Sequence, residues 1–230
     1  LTILASIAFG IPLQFSQVYT EGISRITTED VASAAHFGYR IKHLGIAKDT
    51  GKGIELRVHP TLVPKETMLS AVNGVMNAVM IHGDAVGPTM FYAASAGAEP
   101  TASAVVAALI DPGRALTVDH DERVPYLGFH TDHMSDEPIL TIDDVSCCFY
   151  LRLHVQDKKG VLADVTRILS DNNVSIDAMV QREVDQGLVP IVMMTHEVRE
   201  GDMNLAPAKI GALDTVDSDI MRIRVETLDA

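Results

Sequence analysis

The stretch CFYLRLHVQDKKGVLADVTRILSDNN, residues 148–173, changes period halfway along, and that change decides the fold. Cys147, Phe149, Leu151, Leu153 and Val155 share one face of an alternating run, with Arg152 and His154 on the other, as a half-buried strand requires. Past the turn QDKKG, the residues Val161, Leu162, Val165, Ile168 and Leu169 recur at i, i+1, i+4, i+7 and i+8, an apolar stripe along a helix. Residues 174–182 and 188–198 then read as two strands joined by EVDQG. A second helix lies within 203–216, and 220–226 closes as a strand. The order β-α-β-β-α-β predicts a ferredoxin-like unit, a four-stranded sheet with two helices on one face.

Upstream, TVDHDERVPYLGFHTDHMSDEPILTIDDVS (117–146) is acidic, punctuated by Pro125 and Pro138, and without sustained period, so 117–145 reads as a linker. His120, His130 and His133 with Asp119, Asp121 and Asp132 match no compact metal-ligand spacing, and no metal site is assigned.

The chain opens in the middle of an apolar helical pattern, LTILASIAFG, which Gly10-Ile11-Pro12 breaks well short of the about 20 residues a membrane span needs. The expectation is a buried helix belonging to a longer protein. Thr27 or Thr28 caps a helix with Glu29 and Asp30 in its first turn and Gly38 at its end. Residues 41–47 and 54–58 flank DTGKG as a hairpin, 69–78 reads as a helix, and 79–81 and 89–92 are short strands around GDAVGP. In SAGAEPTASAVVAALIDPG (95–113), Pro100 marks a helix start and Asp111-Pro112-Gly113 its stop, and the first turn is built of small residues that leave room beside the backbone. Helices and strands mix without strict βαβ alternation. The class expected is α+β, with a mixed or antiparallel sheet in 1–116 followed by the ferredoxin-like unit in 146–230.

The formal charge of −13 divides as 9 basic against 17 acidic residues in 1–145 and 9 against 14 in 146–230. Both halves are acidic, which argues against nucleic acid or an anionic membrane as partner. Cys147 and Cys148 are adjacent and face opposite sides of a strand, arguing against a structural disulfide and for a reducing, cytoplasmic setting.

Residues 147–226, with DKKGVLADVTRILSDNNVSI after the first strand, resemble an ACT domain, a regulatory module that commonly binds free amino acids. Residues 1–116, through LTILASIAFG, EGISRIT, LRVHPTLVP, VNGVMNAVMIHGDAVGPTMFY and AGAEPTASAVVAALID in that order, resemble the later part of the substrate domain of the homoserine dehydrogenase family, in its bacterial monofunctional form. The resemblance implies NAD- or NADP-dependent interconversion of aspartate 4-semialdehyde and homoserine, a step toward threonine, methionine and isoleucine. It also implies regulation by an amino acid, threonine first, and a homodimer or homotetramer. It puts Gly97 and Thr101 beside the cofactor. The nucleotide-binding domain, the acidic substrate ligands and the proton-transfer lysine fall upstream of Leu1, so no catalytic residue is assigned and the piece alone is expected to be inactive. In the ACT-like unit, free N–H groups at Gly160, Val161 and Leu162 suit a carboxylate and Asp157 an ammonium, the two ends of an amino-acid effector. The alternative is a stand-alone amino-acid sensor with a dimerising domain. Glu21-Gly22 reads as a turn, and His36, His59 and His82 as ordinary polar positions.

Overall fold

The computed structural model describes residues 1–119, 122–125, 127–181 and 187–228; His120 and Asp121 of the acidic stretch lie outside them. Helix α1 (Thr2–Phe9) ends at Gly10 in the left-handed conformation, φ 64°. Strand β1 (Tyr19–Thr20) and helix α2 (Thr28–His36) follow. Thr27 is the α2 cap: its Oγ1 accepts from the Asp30 backbone N–H while its own N–H donates to Asp30 Oδ2 at 2.9 Å, a reciprocal box that satisfies two otherwise orphaned donors.

The hairpin around DTGKG is longer than its alternation suggests. Strand β2 (Tyr39–Asp49) pairs antiparallel with β3 (Ile54–Pro64) over the full length of both. The HPTLVP end of β3 stays extended because its other edge is also paired, a partner contributed from far down the chain. Residues 69–78 are not a helix. A 3-10 turn covers Leu69–Ala71, Gly74 adopts φ 63°, and strand β4 (Met76–Gly83) begins directly after it. The left-handed glycine breaks helical continuity there, and the alternation of Val75, Val79 and Ile81 then favours a strand. Strand β5 (Gly87–Ala94) completes a separate two-stranded sheet with β4. Helix α3 (Ala98–Ala115) starts two residues before Pro100 and runs through Pro112. Proline deprives the Ala108 carbonyl of its helical donor, but Ala108 is exposed, so water can replace the bond.

The C-terminal unit has the expected order: β6 (Ser146–Val155), α4 (Val161–Asp171), β7 (Ile176–Gln181), β8 (Val189–Thr195), α5 (Glu200–Gly211) and β10 (Met221–Val225), with a two-residue β9 (Val198–Arg199) before α5. It is a ferredoxin-like sheet in the order β10-β6-β8-β7. One face carries the main core, in which Phe149, Leu151, Leu153, Val165, Leu169, Met203 and Ile210 are buried under α4 and α5.

The second face is also buried. Tyr150, Val192, Met194, Met221, Ile223 and Val225 pack against Ala34 of α2 and Leu62 of β3, with Phe37, Tyr39 and Ile41 around them. The sheet itself continues across the same boundary, because β10 pairs in parallel with β3 at Arg224↔Thr61 and Val225↔Leu62, beyond where β1 pairs with β3 at Tyr19↔Arg57. Eight strands thus form one mixed sheet. Part of the acidic stretch is tied down as well: Ser135 N–H donates to the Gly10 carbonyl, Ile54 N–H to that of Pro138, and Leu140 N–H to that of Ile54. No helix is long and apolar enough to cross a membrane, among the described residues.

Candidate functional site

The sequence singles out two turns, and they stand on separate elements. Gly97 precedes the first turn of α3 with φ 127° and ψ 162°, and no side chain caps the helix. The Thr101 N–H returns to the Gly97 carbonyl at 3.2 Å. A side-chain carbon at Gly97 would meet only the Pro100 ring, at 3.5 Å, so backbone conformation and open space coincide at that position. Pro100 has no N–H and the Thr101 N–H is used, so the helix start leaves the Ala98 and Glu99 N–H groups for a ligand, beside the Glu99 carboxylate.

The second turn joins β6 to α4. Gly160, φ 93°, is the N-cap of α4 and again no side chain caps it. Asp157 and Gly160 are exposed, Leu162 is half-buried, and Val161 is buried in the main core, so of the four predicted residues Val161 can offer only its backbone. Lys158 N–H donates to the Gln156 carbonyl at 2.8 Å, closing the turn, while the Val161 N–H makes only a long 3.5 Å contact to the Lys158 carbonyl. The turn is anchored from behind, since Gln156 N–H donates to Thr215 O and Asp217 N–H to His154 O.

Between these turns, the boundary of the two units holds buried charge that local pattern did not disclose. At the β3–β10 seam, Arg224 donates through Nε to Glu200 Oε2 at 2.8 Å, also pairs with Glu200 Oε1, and reaches Glu21 Oε2 at 2.7 Å and Tyr19 OH at 3.0 Å. The Tyr19 ring lies 4.7 Å beneath its guanidinium. Burial works against the Arg224 charge, but its hydrogen bonds and carboxylate neighbours outweigh that and raise its pKa. Glu21, read as a turn residue, is therefore a fastening between units. Next to it Arg57 pairs with Glu55 at 3.1 Å and with Glu226 at 2.5 Å.

His59 is fully buried beside these arginines. Arg57 Nη1 stands 3.0 Å from His59 Nε2, and because guanidinium only donates, Nε2 accepts and Nδ1 carries the proton toward the Pro60 carbonyl at 3.1 Å. Burial, then the Arg224 and Arg57 charges, push its pKa down to about 3. It is a neutral structural histidine. Burial likewise pushes the Cys147 thiol up to about 12, leaving it unreactive.

A second fastening joins α2 to β6. Arg152 Nε donates to Asp30 Oδ1 at 2.7 Å and Nη2 to Oδ2 at 3.3 Å, and Tyr150 OH donates to Oδ1 at 3.1 Å. Burial would raise the Asp30 carboxyl, but the hydrogen bonds from Arg152 and Thr27 together hold it below the ordinary carboxylate range. Glu29 completes the group at 3.6 Å from Arg152 and 3.2 Å from His154. The signal available in the sequence was arginine inside apolar strands, as in IELRV and MRIRV, where a buried charge demands a partner.

Residues 1–110 match the family described as homoserine dehydrogenase, and residues 149–213 the ACT domain. A homoserine dehydrogenase of Pseudomonas aeruginosa is 54% identical over the whole chain, and one of Neisseria gonorrhoeae 46% identical over 99% of it; the chain covers 53% of each. The chain thus spans about half the length of the curated relatives it matches. The crystal structure of a homoserine dehydrogenase from Thiobacillus denitrificans superposes over 99% of this chain and 52% of that one, with TM-score 0.91 and 55% identity. That from S. aureus does so with TM-score 0.63 and 26% identity.

Proposed function

This chain belongs to the homoserine dehydrogenase family, and from that premise we propose that it supplies the later part of the substrate unit and an amino-acid-binding regulatory unit to an NAD(P)-dependent oxidoreductase. The reaction is the interconversion of L-aspartate 4-semialdehyde and L-homoserine, in the cytoplasm, by a homodimer or homotetramer. The observation that carries the reading is that similarity runs unbroken through both units, which are fused into one sheet.

NADP or NAD, when bound, supplies the hydride chemistry. The part of this chain is to leave room for it and to present the uncapped N-terminus of α3, with Gly97 and Thr101 lining the approach. No residue here is assigned proton transfer, so the chain alone is expected to be inactive. At the β6–α4 turn, the N–H groups of Gly160, Val161 and Leu162 receive the carboxylate of a free amino acid, threonine first, and Asp157 its ammonium.

Two measurements test this. Homoserine oxidation should be absent from the chain alone and present when the preceding half of a relative is joined to it, and Gly97→Val should then raise the cofactor KM. Calorimetry on the whole chain should show threonine binding with Kd on the order of 0.1–1 mM, lost in Asp157→Ala. Turnover by the chain alone, or no activity in the joined protein, overturns the enzymatic reading, and the absence of binding by threonine, methionine, isoleucine or lysine overturns the regulatory one.

A further inference from the structure

The turn proposed to hold the effector and the acidic first turn of α2 are separated by very little structure. Strand β6 runs from Arg152 through His154 into Gln156 and the turn; one edge pairs with β8 as far as Val155, and the other pairs with β10 up to Arg152 and then bonds to the 215–217 segment. A displacement of the turn therefore passes along a strand that has no free edge to absorb it. At that end of β6 the Arg152 and His154 side chains hold α2. Arg152 Nη1 donates to His154 Nδ1 at 3.2 Å, which leaves Nε2–H to donate to Glu29 Oε2 at 3.2 Å.

The two acidic residues of α2 differ in what they can do. Asp30 is fully buried and Arg152 only 3% exposed, tied by three hydrogen bonds to Arg152 and Tyr150, so this pair cannot part without leaving a charge in the core. Glu29 and His154 have side chains 32% and 25% exposed, so their contact can open and close at little cost. A fixed pivot beside a movable contact is the arrangement a hinge-like readout requires. Helix α2 in turn packs against β2, the long strand of the first unit, through Ala34 and the Phe37–Tyr39 segment.

We propose that the Glu29–His154 pair couples the β6–α4 turn to the first unit, so that an amino acid held at the turn alters the first unit through α2. Glu29 and His154 are positioning residues, touching neither substrate nor effector. The proposal rests on the regulatory reading above and adds the route. Coupling demands that the effector favour one state of this contact over the other, since equal affinity for both shifts nothing.

The test uses the joined, active protein, with wild type compared with Glu29→Ala and His154→Ala, neither of which can re-form the hydrogen bond. Homoserine oxidation is measured against threonine concentration, and threonine binding is followed by calorimetry. The expected result is basal kcat and KM near wild type and threonine still bound, with the concentration for half-inhibition raised about fivefold or more in each variant. The double variant should be no worse than either single one, because both remove the same contact. Unaltered inhibition in both single variants, with binding retained, overturns the route and leaves the regulatory reading standing. A wild-type protein that binds none of threonine, methionine, isoleucine and lysine overturns both.

Discussion

Cutting the chain between Val145 and Ser146 should yield a C-terminal piece that does not fold, although its β-α-β-β-α-β order is complete. The cut strips the second face of the sheet, where Tyr150, Val192, Met194, Met221, Ile223 and Val225 lie under α2 and β3. At about 1.5–3 kcal/mol for each fully buried side chain, with about half of each surface covered by the first unit and a discount for compact unfolded chains, the loss is on the order of 5 kcal/mol. The buried ions add little to this, because Arg152, deprived of Asp30 and Glu29, regains water when the face opens, and Arg224 keeps Glu200. A domain of this size has about 5–10 kcal/mol to lose, so the apolar term decides. Urea titration followed by far-UV circular dichroism should show a cooperative transition for residues 1–230 and none for 146–230, which should bind a hydrophobic dye. A cooperative transition in the short piece, with stability above about 5 kcal/mol, would refute the claim that the two units share a core.

Asp30→Ala should destabilise the whole chain by about 3 kcal/mol, since it leaves the buried Arg152 with only the 3.6 Å carboxylate contact to Glu29, whereas Glu29→Gln should cost under about 1 kcal/mol; thermal melts of the two variants check the contrast. Because the folded Asp30 carboxyl lies below its unfolded value, its contribution is complete above the unfolded pKa, near 4, and is lost as pH falls through the folded value; in Asp30→Asn this share of the acid destabilisation should be missing from the pH dependence of unfolding. Gly53→Ala should lower stability by about 1–3 kcal/mol, because φ is 149° and the new carbon would stand 2.6 Å from the Pro138 carbonyl, and a melting temperature equal to wild type would show that the 135–140 segment is free to move aside.

What could be read in the sequence was what depends on neighbours along the chain. The β6 alternation, the α4 stripe and the Thr27 cap are local, and all three appear in the structure. Gly74 explains why 69–78 is not the helix its pattern suggests, since a strand and a helix both accept Met76 and Val79 until a left-handed glycine cuts the run. Arg152 and His154 read as the wet face of β6 because their carboxylates, Asp30 and Glu29, lie more than a hundred residues away. The same distance hid Glu21, whose partner Arg224 is at the other end of the chain. Periodicity reports which face of an element is apolar and says nothing of a polar face buried by a matching polar face.

The β4–β5 hairpin and α3 carry a different consequence. From Val75 to Val118 not one residue is buried, and Phe91, Val105, Leu109 and Leu116 are each more than half exposed. A segment of that length with no interior of its own keeps its backbone within reach of a protease, so its cleavage reports whether that surface is bare or covered. Nicks in the 84–86 turn or at Ser95-Ala96-Gly97 should appear readily while the surface stands bare and vanish as it is occupied, without any label or introduced probe.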